Sequence, residues 1–331
     1  MSRVLPLIGL GLSLAGCDAA SPYTLDDVLR LNHVQAKGTH NSYHLEPSET
    51  FDDSHKYSHA ALDVQLELQG VRQFELDLHL SAEGHFEVFH LPAGVDEETT
   101  CRRFTECLQI AKDWSDANPL HLPLVFWLEP KDLEFDWVSD DYVEFLGNYE
   151  GLESEIRSVW PDERVLRPDE VRGEHSTLPA ALSDRGWPTL GSLRGHALFV
   201  LLDSSAHRQA YLLGHDNLEG RTLFVGASTA TAAYAGFFKV NNAAREAERV
   251  RRLVEAGFIV TSNVDGPEQS DADNQDKAAR SIEAGAHFLS TDIPAKIEGR
   301  DYYLQLPGGI SPRCHPYMAP AECTALEVEQ L

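Results

Sequence analysis

Basic residues are scarce in this chain: 27 Lys and Arg stand against 53 Asp and Glu, a formal charge of −26. Phosphate backbones are gripped through Lys and Arg, so the deficit argues against nucleic acid as a partner. It argues equally against adhesion to anionic lipid by charge alone. Such an acidic surface reads as solubility, with a functional role only where carboxylates line a cation-binding cleft. Internal repeats, low-complexity tracts and a linker that would divide the chain are all missing, which leaves one large domain as the simplest organisation. Cysteine is sparse too, at five residues, and no pair has the Cys-x-x-Cys spacing of a tetrahedral metal site. What is there, 42% hydrophobic and 24% charged residues, is the composition of a globular protein able to bury a substantial core.

The N-terminus, "MSRVLPLIGLGLSLAGCDAA", has one early Arg and an apolar run from Val4 to Leu14. That run is too short for a stable membrane-spanning helix and reads as an export signal. Its end, "LAGC", resembles the lipobox of bacterial lipoproteins, which implies cleavage before Cys17 and lipid attachment there; the alternative is an ordinary cleaved signal. Residues 1–16 are thus expected to be a signal, 17–32 a tether, 33–305 a catalytic domain and 306–331 a tail. Export places the chain in the periplasm or on the cell surface and favours disulfides. The local pairs Cys101 with Cys107 and Cys314 with Cys323 are the preferred connectivity among three. Six helical residues rise about 9 Å, so Cys101 should sit in the loop before a helix that holds Cys107.

Short apolar runs then alternate with amphipathic ones. Strands are expected at 33–38, 72–80, 85–91, 122–130, 197–203, 222–228, 257–263 and 287–293, with helix-like segments such as "HAALDVQLELQG" and "AAREAERVRRLVEAG" between several of them. Eight strands with interleaved helices in about 270 residues predict α/β architecture, a single-domain distorted (β/α)8 TIM barrel. The distortion is expected at "SAEG", too short for a helix, and at the Pro/Gly-rich residues 161–196.

In such a barrel the C-terminal strand ends converge on one mouth. The first ends in "GTHN", with His40 and Asn41. In "FELDLH" Glu75 and Asp77 alternate with apolar residues and project to one face. The third run ends at His90, and Glu129 interrupts the apolar fourth. Buried carboxylates need compensation, so these acids with Asn41 point to a bound cation. The hard oxygen set Asn41, Glu75, Asp77 and Glu129 suits Ca²⁺ better than Mg²⁺, which takes fewer carboxylates. Two histidines beside it form the acid–base pair that phosphodiester cleavage needs.

In this order, His40-Asn41, Glu75-x-Asp77, His90 and Glu129 resemble the catalytic half of the calcium-dependent phosphoinositide-specific phospholipases C. The resemblance runs from about residue 33 to 132, with a weaker echo in "EAGAHFLSTDIP" at 283–294. It implies that Ca²⁺ on Asn41, Glu75, Asp77 and Glu129 engages the phosphate and the inositol 2-hydroxyl. That hydroxyl attacks phosphorus, giving a cyclic inositol phosphate and diacylglycerol. It implies His90 as general acid and His40 as base or transition-state stabiliser, with Glu75 or Glu129 as alternative bases. Lys131 is a candidate for contact with substrate, or for an ion pair with a neighbouring acid.

The second half offers Ser262 and Asn263 at a strand end, and no Arg, which disfavours polyphosphorylated headgroups. Asn263 is the substrate-binding candidate there. Tyr234, Phe237 and Phe238 form either a lipid-facing rim or packing. His44, His55, His59, His79 and His85 are expected to be loop or surface residues. The partners expected are a phospholipid or inositol phosphodiester substrate, and a membrane reached through the lipid anchor. The rival readings are a glycerophosphodiester phosphodiesterase and a non-catalytic Ca²⁺-binding lipoprotein.

Overall fold

The computed structural model describes residues 21–50, 52–132, 141–202, 205–309 and 311–330. Cys17 and the expected signal lie outside the described residues. Eleven strands occur among those described: β1 (Val34–Thr39), β2 (Val71–Ser81), β3 (Phe86–Val88), β4 (Leu124–Pro130), β5 (Tyr142–Val143), β6 (Ala197–Leu201), β7 (Phe224–Val225), β8 (Phe237–Lys239), β9 (Ile259–Asn263), β10 (Phe288–Thr291) and β11 (Arg313–Cys314). Eight of them run parallel in the order β7-β6-β4-β2-β1-β10-β9-β8. A single parallel bridge between Gly226 and Phe237 brings β7 to β8 and nearly closes the ring. At that joint a Cβ on Gly226 would stand 3.1 Å from ring carbon Cζ3 of Trp127, so the close approach to the barrel core calls for glycine.

The expected count of eight is met by a different set. The run at 85–91 contributes β3, an antiparallel hairpin arm on β2 with Leu78 opposite Val88. "SAEG" is its turn, and no helix could fit a parallel crossover there. The missing barrel strand is β8, "FFK", which was expected to be a loop. Phe237 and Phe238 are therefore core residues, 0% and 1% exposed, and not a lipid-facing rim, while Tyr234 packs half-buried against the core.

Inside the ring the pleat separates two sets of side chains. On β2, Phe74, Leu76 and Leu78 alternate with Gln73, Glu75 and Asp77, and all are buried. On β4, Trp127 lies opposite Glu75 and Glu129 opposite Asp77. Trp127 donates from Nε1 to Thr261 Oγ1 on β9 at 3.2 Å, across the barrel interior. Residues 161–196 fold into short helices, Pro168–Arg172, Leu178–Asp184 and Leu190–Leu193. The first two have Pro in their opening turns, where its missing N–H is harmless, and Thr177 caps the second through Ala180 N.

Both expected disulfides form, Cys101–Cys107 and Cys314–Cys323. Cys101 precedes the helix Phe104–Ala117, as the helical rise requires. The tail packs at the N-terminal end of the barrel. There β11 pairs antiparallel with β1 through Val34 and Cys314, and Glu329 makes a buried ion pair with Arg72 at 2.5 Å. Within the segment expected to be a tether, 17–32, the described residues pack from Ser21 on. Tyr23 is buried under the Arg194 guanidinium, and Thr24 N donates to Glu327 at 2.8 Å.

Candidate active site

His40 follows the last residue of β1, and its amide donates to Thr291 O of β10 at 3.2 Å. The chain then turns through Asn41, which adopts φ 41°, a left-handed conformation that asparagine tolerates better than most residues. The turn is tied to β2: Ser42 N donates to Glu75 O at 2.9 Å, and Glu75 N donates to Ser42 Oγ at 2.8 Å. Gln65 Nε2 donates to Ser42 O at 2.7 Å and holds it from outside the barrel. The "THNS" stretch is therefore fixed beside the first carboxylate.

Asp77 and Glu129 are brought together, with Glu75 two residues before Asp77 on the same face of β2. Lys131 Nζ bridges Asp77 Oδ2 at 3.0 Å and Glu129 Oε1 at 2.7 Å. Lys131 is thus an ion-pair partner in this structure. Lys239, the last residue of β8, reaches Glu75 Oε1 at 2.5 Å. Burial pushes Asp77 up to about 6, Lys131 offsets part of that, and the neighbouring Glu129 adds to it. For Glu129 burial works upward, but Lys131 outweighs it and the carboxyl is held low.

Glu75 Oε2 and Asp77 Oδ1 are buried and have no hydrogen-bond partner among the described residues. Anionic oxygens in that condition are costly unless a cation meets them. These two oxygens, the Glu129 carboxylate and the neighbouring Asn41 turn offer oxygen donors, the chemistry that a hard divalent cation such as Ca²⁺ takes. The bowl is open at its rim: Glu129 and His40 side chains are 33% and 31% exposed, against 0% for Asp77.

Each histidine has a carboxylate behind it. His40 Nδ1 lies 2.9 Å from Asp292 Oδ1. Burial disfavours the imidazolium of His40, but Asp292 and then Glu75 outweigh it and hold the pKa up at about 9. Asp292 is itself fixed by its amide, which donates to Asp265 Oδ1 at 2.8 Å. On the other side, His90 Nδ1 lies 2.8 Å from Asp96 Oδ2. Asp96 is fully buried, yet hydrogen bonds from His44 and His90 hold it down at about 2.

Several of these groups escaped the reading of the sequence. Asp292 stood in the "STDIP" echo without a role. Lys239 lay in a segment not read as strand, and Asp96 had no sequence signal. His44 and His59, expected to be loop or surface residues, are buried: His44 Nε2 meets Asp96 Oδ1 at 3.0 Å, and His59 Nε2 bonds to His40 O at 2.9 Å. His79 is also buried, stacked on Phe89. His85 stays near the surface, between Ser81 and Glu87. Asn263 ends β9, and its Oδ1 has no partner among the described residues.

In chemical class, two carboxylate-backed imidazoles flanking an oxygen-lined cation site at a barrel mouth make an acid–base centre. The family model for Ca²⁺-dependent phosphoinositide phospholipase C matches residues 29–86 and 81–316. The chain belongs to that family. Among solved structures it is similar to a calcium-dependent phosphoinositol-specific phospholipase C of a Gram-negative Pseudomonas species, in its myo-inositol complex. That match has a TM-score of 0.61 at 18% identity and covers 87% of this chain and 96% of the other. It is also similar to a Ca²⁺-dependent phosphatidylinositol-specific phospholipase C from Streptomyces antibioticus, with a TM-score of 0.56 at 22% identity, covering 80% and 95%. At these identities the likeness establishes the barrel fold. No curated protein sequence matches the chain.

Proposed function

We propose that this enzyme cleaves phosphatidylinositol or a related inositol phosphodiester by intramolecular attack of the inositol 2-hydroxyl, releasing diacylglycerol or another alcohol. The observation that carries the reading is the pairing of His40 with Asp292 and of His90 with Asp96, beside the acids of β2 and β4. Asn41, Glu75, Asp77 and Glu129 would hold Ca²⁺, which supplies charge stabilisation at the phosphate and acidifies a bound hydroxyl.

The protein's own groups divide the remaining work. His40 faces the attacking hydroxyl and the phosphate. With its pKa near 9 the resting imidazole is protonated, and Glu75 is one of the charges that keep it so. A cation held by Glu75 would weaken that smaller support and lower the His40 pKa, while Asp292, the larger support, would remain. Asp292 orients the ring through Nδ1, leaving Nε2 for the substrate. Asp96 does the same for His90, which protonates the departing oxygen as general acid. Lys131 and Lys239 are both committed to carboxylates, so neither is spare for additional ring phosphates; this favours an inositol ring without them. The oxygen of Asn263, without a partner among the described residues, supports a role for it in meeting a ring hydroxyl.

The test is a panel of phosphatidylinositol, glycerophosphoinositol and glycerophosphocholine, each with Ca²⁺ or chelator, using wild type, His40→Ala and His90→Ala. Chelator-sensitive release of cyclic inositol phosphate, lost in both variants, is expected. Turnover indifferent to chelator would remove the cation assignment, and cleavage of glycerophosphocholine alone would move the enzyme to the glycerophosphodiester class. The "LAGC" motif further supports export and lipid attachment at Cys17, which would hold the enzyme at a membrane. No helix among the described residues is long and apolar enough to cross one. Cys17→Ala should shift the protein from the membrane to the soluble fraction; unchanged fractionation rejects the anchor.

A further inference from the structure

Asp96 is met by three imidazoles at once. His90 Nδ1 lies at 2.8 Å from Oδ2, His55 Nδ1 at 3.2 Å from the same oxygen, and His44 Nε2 at 3.0 Å from Oδ1. A carboxylate that only orients a catalytic histidine has no need of the second and third rings. His44 is the fixed one, buried, with Nδ1 bonded to Tyr57 O at 3.0 Å and its ring stacked on Tyr57 at 4.3 Å. His55 and His90 are accessible, 18% and 20% exposed, with ring centroids 4.8 Å apart.

The donor atoms of His55, His90 and Asp96 all lie within 4.8 Å of one another. In a tetrahedral zinc site with bonds of about 2.0–2.1 Å, neighbouring donors stand roughly 3.4 Å apart. Here the two nitrogen-to-carboxylate separations, 2.8 and 3.2 Å, both fall short of that value, and small rotations of the two accessible rings widen them and close the third. Two imidazoles with one carboxylate are the donor set of zinc-like ions, whereas Ca²⁺ wants oxygen throughout. His44 supplies the outer hydrogen bond that fixes a ligating carboxylate, and the exposed side leaves a fourth position for water.

We propose that His55, His90 and Asp96 form a second metal site, separate from the oxygen-lined bowl, that takes a transition-metal dication of the zinc class and thereby inhibits the enzyme. The inhibitory half rests on His90 being the general acid. A metal on Nδ1 takes the place of the proton there, with the ring's remaining proton on Nε2. Donating that proton to the leaving oxygen would then produce an imidazolate instead of a neutral imidazole, a far weaker acid step. No bond other than metal–ligand contacts and one N–H changes.

The test uses untagged protein at saturating Ca²⁺, with Co²⁺ as a visible-absorbing probe and Zn²⁺ as competitor and inhibitor. Wild type should bind one Co²⁺ with the intense absorption of four-coordination, lose it to Zn²⁺, and lose phosphatidylinositol cleavage in parallel. His55→Ala, which removes a ligand and no group of the proposed mechanism, should weaken both effects by at least about tenfold while its zinc-free rate stays near wild type. His55→Cys, which restores a ligand atom, should recover tight binding. Absence of the Co²⁺ band in wild type, or equal Zn²⁺ sensitivity in His55→Ala, overturns the proposal. If His55-dependent Co²⁺ binding persists in an enzyme inactive on every diester, the site stands and the fault lies in the catalytic reading.

Discussion

Replacing Lys239 with Met puts a number on the charge arrangement in the bowl. Lys239 Nζ lies 2.5 Å from Glu75 Oε1, with side chains 11% and 1% exposed. Methionine fills a similar volume without the ammonium, so Glu75 is left buried and without its partner. Breaking a buried pair in this way costs about 3–5 kcal/mol. A chain of 331 residues gains about 0.7 kcal/mol/K of entropy on unfolding, so calcium-free Lys239→Met should melt about 5 °C below wild type. Calcium should reverse the order of response. In wild type the ion must compete with the ammonium for Glu75, whereas in the variant it meets a bare carboxylate. The thermal shift produced by Ca²⁺ should therefore be larger in the variant, as linkage to a tighter site demands. Scanning calorimetry with chelator and with Ca²⁺ reads both quantities. An unchanged calcium-free Tm with an identical calcium shift would refute the placing of Lys239 and Glu75 in the cation site.

Two further outcomes follow from the charge states. Asp292→Asn keeps the shape behind His40 but removes the charge that supports its imidazolium, so NMR titration should find the His40 pKa well below about 9, with kcat down about 100-fold or more; an unchanged rate removes Asp292 from the mechanism. Stability should fall as pH drops below about 6.5 in chelator: burial holds His59 and His315 down at about 4 and His79 and His121 at about 3, with His287 also well below its usual value. A depressed histidine stabilises fully above its unfolded pKa, and that contribution is lost through the window beneath it, at about 1.4 kcal/mol per pH unit for each proton taken up. Asp77 and Asp265, raised to about 6 by burial, act oppositely between that value and their usual range, but two acids are outnumbered by five histidines. Urea denaturation that is flat from pH 7 to 5 would contradict this balance.

The first half of the candidate site was legible because its residues announce themselves locally. Glu75 and Asp77 interrupt an apolar alternation, and Glu129 sits in "LVFWLEP", where a charge has no reason to be unless the strand end is a site. His90 was found on a strand assigned to the wrong place. The hairpin of β2 and β3 delivers it to the mouth without belonging to the ring. Lys239 was missed for the opposite reason. A three-residue strand after a loop of Ala, Thr and Gly shows no period, and its strand character comes from pairing with β9. Asp96, His44 and His55 were invisible because their chemistry is made by contact between loops. Sequence periodicity carries no information about which loop leans on which. The proline-rich stretch misled as well, since prolines that start helices look like prolines that prevent them.

The ring has one joint unlike the others. Between β2 and β4 six residue pairs align, and between β8 and β9 three, but β7 meets β8 through the Gly226–Phe237 bridge alone. A hoop with a single thin weld has its fewest backbone ties there. The strand beside the weld is β8, and its last residue is Lys239. Any opening of the hoop at this point would carry an ammonium away from Glu75, so the mechanical compliance of the barrel and the affinity of its mouth for a cation are written into the same three residues.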